Sequence, residues 1–161
     1  MTRATGFTLL ELVAALGILA VLVSLAAVGG DIYLQRARTA RTASDAKVMV
    51  TSLRQYQADV GIFAETKDDL MAQPADAPGW RGPYIDRWPK GASWDPAASW
   101  TYERQTWFDG FPAWGLAICS GTPPDADLVA LVDRIYDDGD ASSGTMRLSG
   151  NCLKIHVGRD P

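Results

Sequence analysis

One carboxylate stands where charge is costly. Glu11 lies in the run Gly6-Phe7-Thr8-Leu9-Leu10-Glu11-Leu12, and between Phe7 and Val28 it is the single charged residue. A carboxylate at the centre of a membrane-spanning helix costs about 2.5–3.5 kcal/mol and marks a functional position. Two other groups could do chemistry. Cys119 and Cys152 form an even pair outside the apolar run, which reads as one disulfide in an oxidising compartment, the alternative being two buried thiols. The loop Asp137-Asp138-Gly139-Asp140-Ala141-Ser142-Ser143-Gly144 offers three carboxylates and two hydroxyls, the hard oxygen ligands that calcium takes. Its competing reading is an acidic solvated turn. An EF-hand is excluded, because counting from Asp138 puts Ser149 where the closing glutamate belongs. The only histidine, His156, falls on the polar face of an alternating segment and is expected to face solvent. No nucleophile–base pair, metal triad or phosphate loop accompanies these residues, so an enzyme is not expected. No cofactor is required by this reading, and calcium is the one the acidic loop could take.

The elements that must carry these groups follow from hydropathy and charge. The chain has 161 residues and a net charge of −4. The apolar run is long enough to cross a bilayer, for which about 20 residues suffice. Charge is uneven: +1 over 1–6, −1 over 7–30, +2 over 31–60 and −6 over 61–161. A basic stem below an acidic head suits packing of stems against neighbouring heads. It offers no broad basic face, so nucleic acid is not an expected partner, the stem arginines being the one place for it. Beyond the run, Tyr33, Ala37, Ala40, Met49, Leu53, Tyr56 and Val60 recur at helical steps, predicting one continuing helix to about residue 60 with an apolar stripe. Gly29-Gly30 predicts a kink or a meltable point within it, since two glycines cost about 2 kcal/mol relative to alanines. Gly61 ends the helix.

In the head, Thr66 to Ala72 predicts a short helix capped by Thr66 and Asp69. Strands are predicted at 99–104, 113–119, 145–148 and 152–157, with a helix at 127–136 capped by Asp125 and apolar through Leu128, Leu131, Val132 and Ile135. All six tryptophans lie between Trp80 and Trp114. A binding platform is one reading; the favoured one is that large rings fill a small core and stack between subunits.

The order and spacing of Gly6, Phe7, Thr8, Leu9, Glu11 and Leu12 resemble the type IV pilin and pseudopilin superfamily, the subunits of bacterial pili and type II secretion systems. The resemblance implies cleavage after Gly6, N-methylation of Phe7 and Glu11 as the fifth residue of the mature chain. It implies an α+β, pilin-like fold: a leader (1–6), a transmembrane half (7–30) and an amphipathic half (31–60) of one long helix, and a small antiparallel head (61–161). It also implies a filament subunit whose partners are other pilins or pseudopilins, prepilin peptidase and an inner-membrane assembly platform. The subunit would be held in the inner membrane with its head in the periplasm until assembly. Arg36, Arg38 and Arg41 after the span, against Arg3 before it, would by the positive-inside tendency alone point the other way. Glu11 would pair with the new amine of Phe7 on a neighbouring subunit. The run Trp80-Arg81-Gly82-Pro83-Tyr84 is similar to the major pseudopilins of type II secretion, although Asp95-Pro96 is followed by Ala97-Ala98 where those proteins have Trp-Gly. The cysteine-bounded region is similar to type IV pilins, the alternative reading, which would serve adhesion, motility or DNA uptake.

Overall fold

The computed structural model describes residues 8–107 and 110–159, those at 26–29 and 32 by backbone alone. Helix α1 spans Leu9–Val60, and the chain divides into two compact units, 1–37 and 38–161.

The first unit is helix from Leu9 onward, and its apolar side chains point all round the axis. Leu9, Leu12, Leu16, Leu19 and Leu22 are all more than half exposed, and so are the valines and Ile18 between them. A helix apolar on every face requires an apolar surrounding. Among the described residues no helix is long and apolar enough to cross a membrane; the span expected at 7–30 reaches beyond them. Helical hydrogen bonding continues through Gly29-Gly30, so these glycines do not melt the helix. Within a 52-residue helix their cost is spread over a cooperative unit, where each added residue contributes its own hydrogen bond.

The second unit is an α+β head that includes the last turns of α1. Its buried helical face is Thr39, Thr42, Ala43, Ala46, Met49, Val50, Leu53 and Tyr56, all at three- and four-residue steps. The predicted stripe was correct from Met49 to Tyr56 and wrong before it: Tyr33 and Ala40 are exposed. Small residues at Thr39 to Ala46 can lie close against the head, which a large ring in that register would hold off. The helix stops at Gly61, whose φ of +94° is costly for any residue with a Cβ. Its N–H donates to the Gln57 carbonyl at 2.8 Å.

A 3-10 turn at Lys67–Leu70 follows, where the Asp69 carboxylate accepts from the Thr66 N–H at 2.8 Å. Four antiparallel strands then form one sheet in the order β1-β2-β4-β3. They are β1 (Trp100–Thr106), β2 (Pro112–Cys119), β3 (Met146–Ser149) and β4 (Cys152–Gly158), with α2 (Ala126–Tyr136) between β2 and β3. Leu116 and Ile118 of β2, Leu153, Ile155 and Val157 of β4, and Trp100 join Met49 and Leu53 of α1 in one core. Strand β4 alternates as its pattern requires. His156 is the exception to expectation: it is half-buried, and its ring meets the edge of Trp107 at 6.1 Å.

The tryptophans are packing residues. Trp100 and Trp107 are buried, and Trp80, Trp88, Trp94 and Trp114 lie half-buried against the core. Three indole N–H groups donate to carbonyls: Trp80 to Asp69 at 2.9 Å, Trp88 to Trp100 at 2.9 Å and Trp107 to Ala113 at 2.7 Å. Such anchoring suits rings that fill space and have one polar tip to satisfy. The Trp80–Tyr84 run is clamped to the end of α1. Tyr84 donates its hydroxyl to Asp59 at 3.0 Å, its carbonyl accepts from Ser52 at 2.9 Å, and its ring meets Tyr56 edge-on at 5.6 Å.

Candidate functional site

At the N-terminal end, Gly6 and Phe7 lie outside the described residues, and Glu11 lies inside them. Thr8 and Glu11 hold each other. The Glu11 carboxylate accepts from the Thr8 N–H at 3.0 Å and from the Thr8 hydroxyl at 3.1 Å, while the Glu11 N–H donates back to that hydroxyl at 3.3 Å. This is a capping box: Thr8 starts α1, and a carboxylate three residues on satisfies an N–H that the helix leaves unpaired. The Thr-x-x-Glu spacing of this box is legible in the sequence. Its carboxylate is thus directed to the chain's own N-terminal end. Those hydrogen bonds offset part of the cost of keeping it in an apolar setting.

The second candidate is the disulfide-bounded region. Cys119 and Cys152 are bonded, which the register explains, since they are direct partners at the end of the β2–β4 ladder. The bridge closes a segment of 33 residues that contains all of α2, the acidic loop and β3. Closing a loop of that length removes about 3–4 kcal/mol of unfolded-state entropy. Reduction of the bridge, or a Cys119→Ser/Cys152→Ser chain, is therefore expected to lower unfolding stability by roughly that amount. Urea titrations with and without reductant measure it, and coincident curves would contradict it.

Helix α2 begins at Asp125, whose carboxylate accepts from the Asp127 N–H at 2.8 Å. Its buried face is Val129, Val132 and Asp133, not the purely apolar one expected: Leu128 and Leu131 are half-buried and Ile135 is 40% exposed. Asp133 sits four residues after Val129, so it lands on the inward face although it is charged.

The acidic loop wraps around that end of the helix. Asp137 receives the Thr145 hydroxyl at 2.9 Å and the Met146 N–H at 3.2 Å, tying the loop to β3. Gly144, at φ +68°, leaves room for this, because a Cβ there would lie 2.2 Å from the Asp137 carboxylate. Asp138 accepts from the Asp140 N–H and from the Ser143 hydroxyl, both at 2.9 Å. Those donors, the N–H first, hold its carboxyl below the usual range. Asp140 turns to Ser142, accepting its hydroxyl at 2.6 Å and its N–H at 3.0 Å. The acidic cluster that closes is therefore Asp133, Asp137 and Asp138, with one ligand atom from each lying within 4.8 Å of the others. Asp140 is not in it. Burial, and then the charges of Asp138 and Asp137, push the Asp133 carboxyl up to about 6.

A surface cleft of about 700 Å³ lies between α1 and the 83–90 segment, lined by Arg41, Asp45, Tyr84, Arg87, Trp88 and Lys90 among others. Arg41 and Asp45 face each other at 3.7 Å. Burial holds the Asp45 carboxyl up, against the pull of the Arg41 and Arg87 charges.

Residues 1–27 match the family model described as the prokaryotic N-terminal methylation motif. Neither the curated proteins nor the solved structures compared with the chain yield a match. The motif points to a structural subunit that is anchored in the inner membrane and then joins a filament with other pilins after processing by prepilin peptidase. On an α+β pilin-like fold of one long helix and a four-stranded antiparallel sheet, this chain carries the N-terminal signature of type IV pilins and pseudopilins.

Proposed function

We propose that this protein is a subunit of a type II secretion pseudopilus, assembled from the inner membrane with its head in the periplasm. The observation that supports it most is the methylation motif at 1–27 leading straight into a helix whose exposed side chains from Leu9 to Leu25 are almost all apolar. Such a surface is covered by lipid before assembly and by the helices of neighbours afterwards. The disulfide suits an oxidising compartment. Between the two filament systems, the Trp80–Tyr84 clamp on α1 favours the pseudopilus. The Cys119–Cys152 bridge around α2 favours the second reading, a major or minor type IV pilin.

Glu11 supplies the assembly step in this reading. Held by Thr8, it pairs in the filament with the amine that cleavage after Gly6 creates on Phe7 of a neighbour. Two charges are then neutralised in an apolar core, and an unprocessed subunit is rejected because it lacks the amine.

The intact mass of the protein from cells with active prepilin peptidase is expected to correspond to residues 7–161 plus one methyl group on Phe7. A chain that retains residues 1–6 there would refute the reading. Deletion of the gene then separates the two systems: loss of exoprotein secretion marks a pseudopilus, and loss of surface fibres with secretion intact marks a pilus.

A further inference from the structure

We propose that the cleft between α1 and the 83–90 segment binds the phosphate headgroup of an anionic phospholipid. Its volume, about 700 Å³, falls in the range of roughly 300–1,000 Å³ that small-molecule sites occupy. Arg41, Arg87 and Lys90 line it. A hollow of about 320 Å³ beside it shares Arg41, Asp45 and Lys90 and adds Arg38, so four cations border one groove. Two carboxylates, Asp45 and Asp86, are set against them there. The pairing is incomplete. Arg41 Nε lies 3.7 Å from Asp45, beyond hydrogen-bond distance, and the Arg41 and Arg87 charges both act on that same carboxylate. Among the described residues Arg38, Arg87 and Lys90 form no ion pair. The excess runs against the rest of the head, since 61–161 carries −6. Guanidinium groups left over around a concave surface suit an oxyanion, which their forks can grip through two hydrogen bonds at once.

The remaining walls favour a lipid over a free ion. Val48, Pro83, Ile85, Trp88 and Pro89 line the same cleft, and Val48 is 48% exposed although apolar. The Trp88 indole N–H is already taken by the Trp100 carbonyl at 2.9 Å, so what this ring offers the cleft is apolar. An amphiphile with an anionic head satisfies both kinds of wall, whereas inorganic phosphate would meet the cations alone. Position in the sequence agrees. Arg36, Arg38 and Arg41 are the first basic residues after the apolar run, and basic residues next to a membrane span attract anionic lipid. Because the chain is read as anchored in the inner membrane, a reading on which this site rests, the lipid of that membrane is the phosphate source at hand. Phosphatidylglycerol, with one net negative charge at its phosphate, has the chemistry required.

The processed full chain, in micelles of an uncharged detergent, is melted with rising mole fractions of phosphatidylglycerol, with phosphatidylcholine, or with inorganic phosphate in the buffer. Phosphatidylglycerol is expected to raise Tm by about 5 °C, and the other two should leave it nearly unchanged. Arg41→Gln and Arg87→Gln, both at exposed positions, should each weaken the apparent affinity about fivefold or more. Arg54→Gln makes the same charge change on α1 outside the cleft and should retain it. No rise with phosphatidylglycerol, an equal rise with phosphatidylcholine, or a response to inorganic phosphate alone overturns the inference. Unchanged affinity in the Arg41→Gln and Arg87→Gln chains does so too. Self-association of the lipid-free chain that Arg87→Gln abolishes would also overturn it, giving the cleft to a second copy. The membrane reading fails separately, by absence of the chain from the membrane fraction of cells.

Discussion

Glu11→Gln is expected to leave the chain folded and inserted but absent from filaments. Glutamine preserves the capping box, because its amide oxygen can accept from the Thr8 N–H as the carboxylate does at 3.0 Å. It also removes a charge from an apolar segment, so insertion becomes easier. What it cannot do, in the proposed assembly step, is neutralise the Phe7 amine of a neighbour. Leaving one member of a buried ion pair alone costs about 3–5 kcal/mol. That corresponds to a loss of incorporation of roughly 10²- to 4 × 10³-fold. Glu11→Leu loses the cap as well and should assemble no better. The informative comparison is between the two: helix content and membrane yield report the cap, and subunits recovered in sheared filaments report the ion pair. Normal filaments from the Glu11→Gln chain would remove the charge from the mechanism and leave Glu11 a capping residue.

Gly115→Ala is expected to destabilise the head by direct steric clash. A Cβ at this position would lie 1.9 Å from Cζ2 and 2.3 Å from Cη2 of Trp107, and 2.6 Å from the Ile155 carbonyl oxygen. Trp107 is only 5% exposed and its indole N–H is held by the Ala113 carbonyl, so the ring has little freedom to withdraw. The strand partner cannot retreat either, since Gly115 pairs with His156 beside a register shift. Overpacking of this kind costs about 1–3 kcal/mol or more. Trp107→Ala alone should cost about 3–5 kcal/mol, the range for removing a buried aromatic ring. In that background Gly115→Ala should cost clearly less than it does alone, because the ring it strikes is gone and only the Ile155 oxygen remains. A double-mutant cycle by urea unfolding measures the coupling. Additive effects would mean that the ring does not set the requirement for glycine.

Periodicity and spacing made much of the fold legible. The four strand positions came within two residues of those observed, because alternation such as Leu153-Lys154-Ile155-His156-Val157 has one economical burial. The ends of α1 and α2 were marked by Gly61 and Asp125, whose effects are local. The errors arose where a residue's surroundings come from another part of the chain. Tyr33 and Ala40 share a helical spacing with Met49 but not its burial. Only the packed head shows that small residues at Thr39, Thr42, Ala43 and Ala46 form the contact there. His156 was placed outward by strand parity, and the Trp107 ring covers that face.

The two functional regions divide in the same way. The sequence by itself determined the N-terminal methylation motif at 1–27, because such a motif is a matter of residue order and spacing. It also contained the Thr8–Glu11 box. The tertiary structure decided which carboxylates are buried and which are taken by neighbours. Asp140 looked equivalent to Asp137 and Asp138 in the loop, yet its carboxylate is taken by Ser142. Asp133 was hidden in a helix and is buried beside the other two. Hydropathy assigns each residue a preference for water, whereas the burial of a charged one is imposed by the chain's path. Asp133 and Asp137 are one helical turn apart, so their closeness is local; what the fold decides is that Asp133 is buried there.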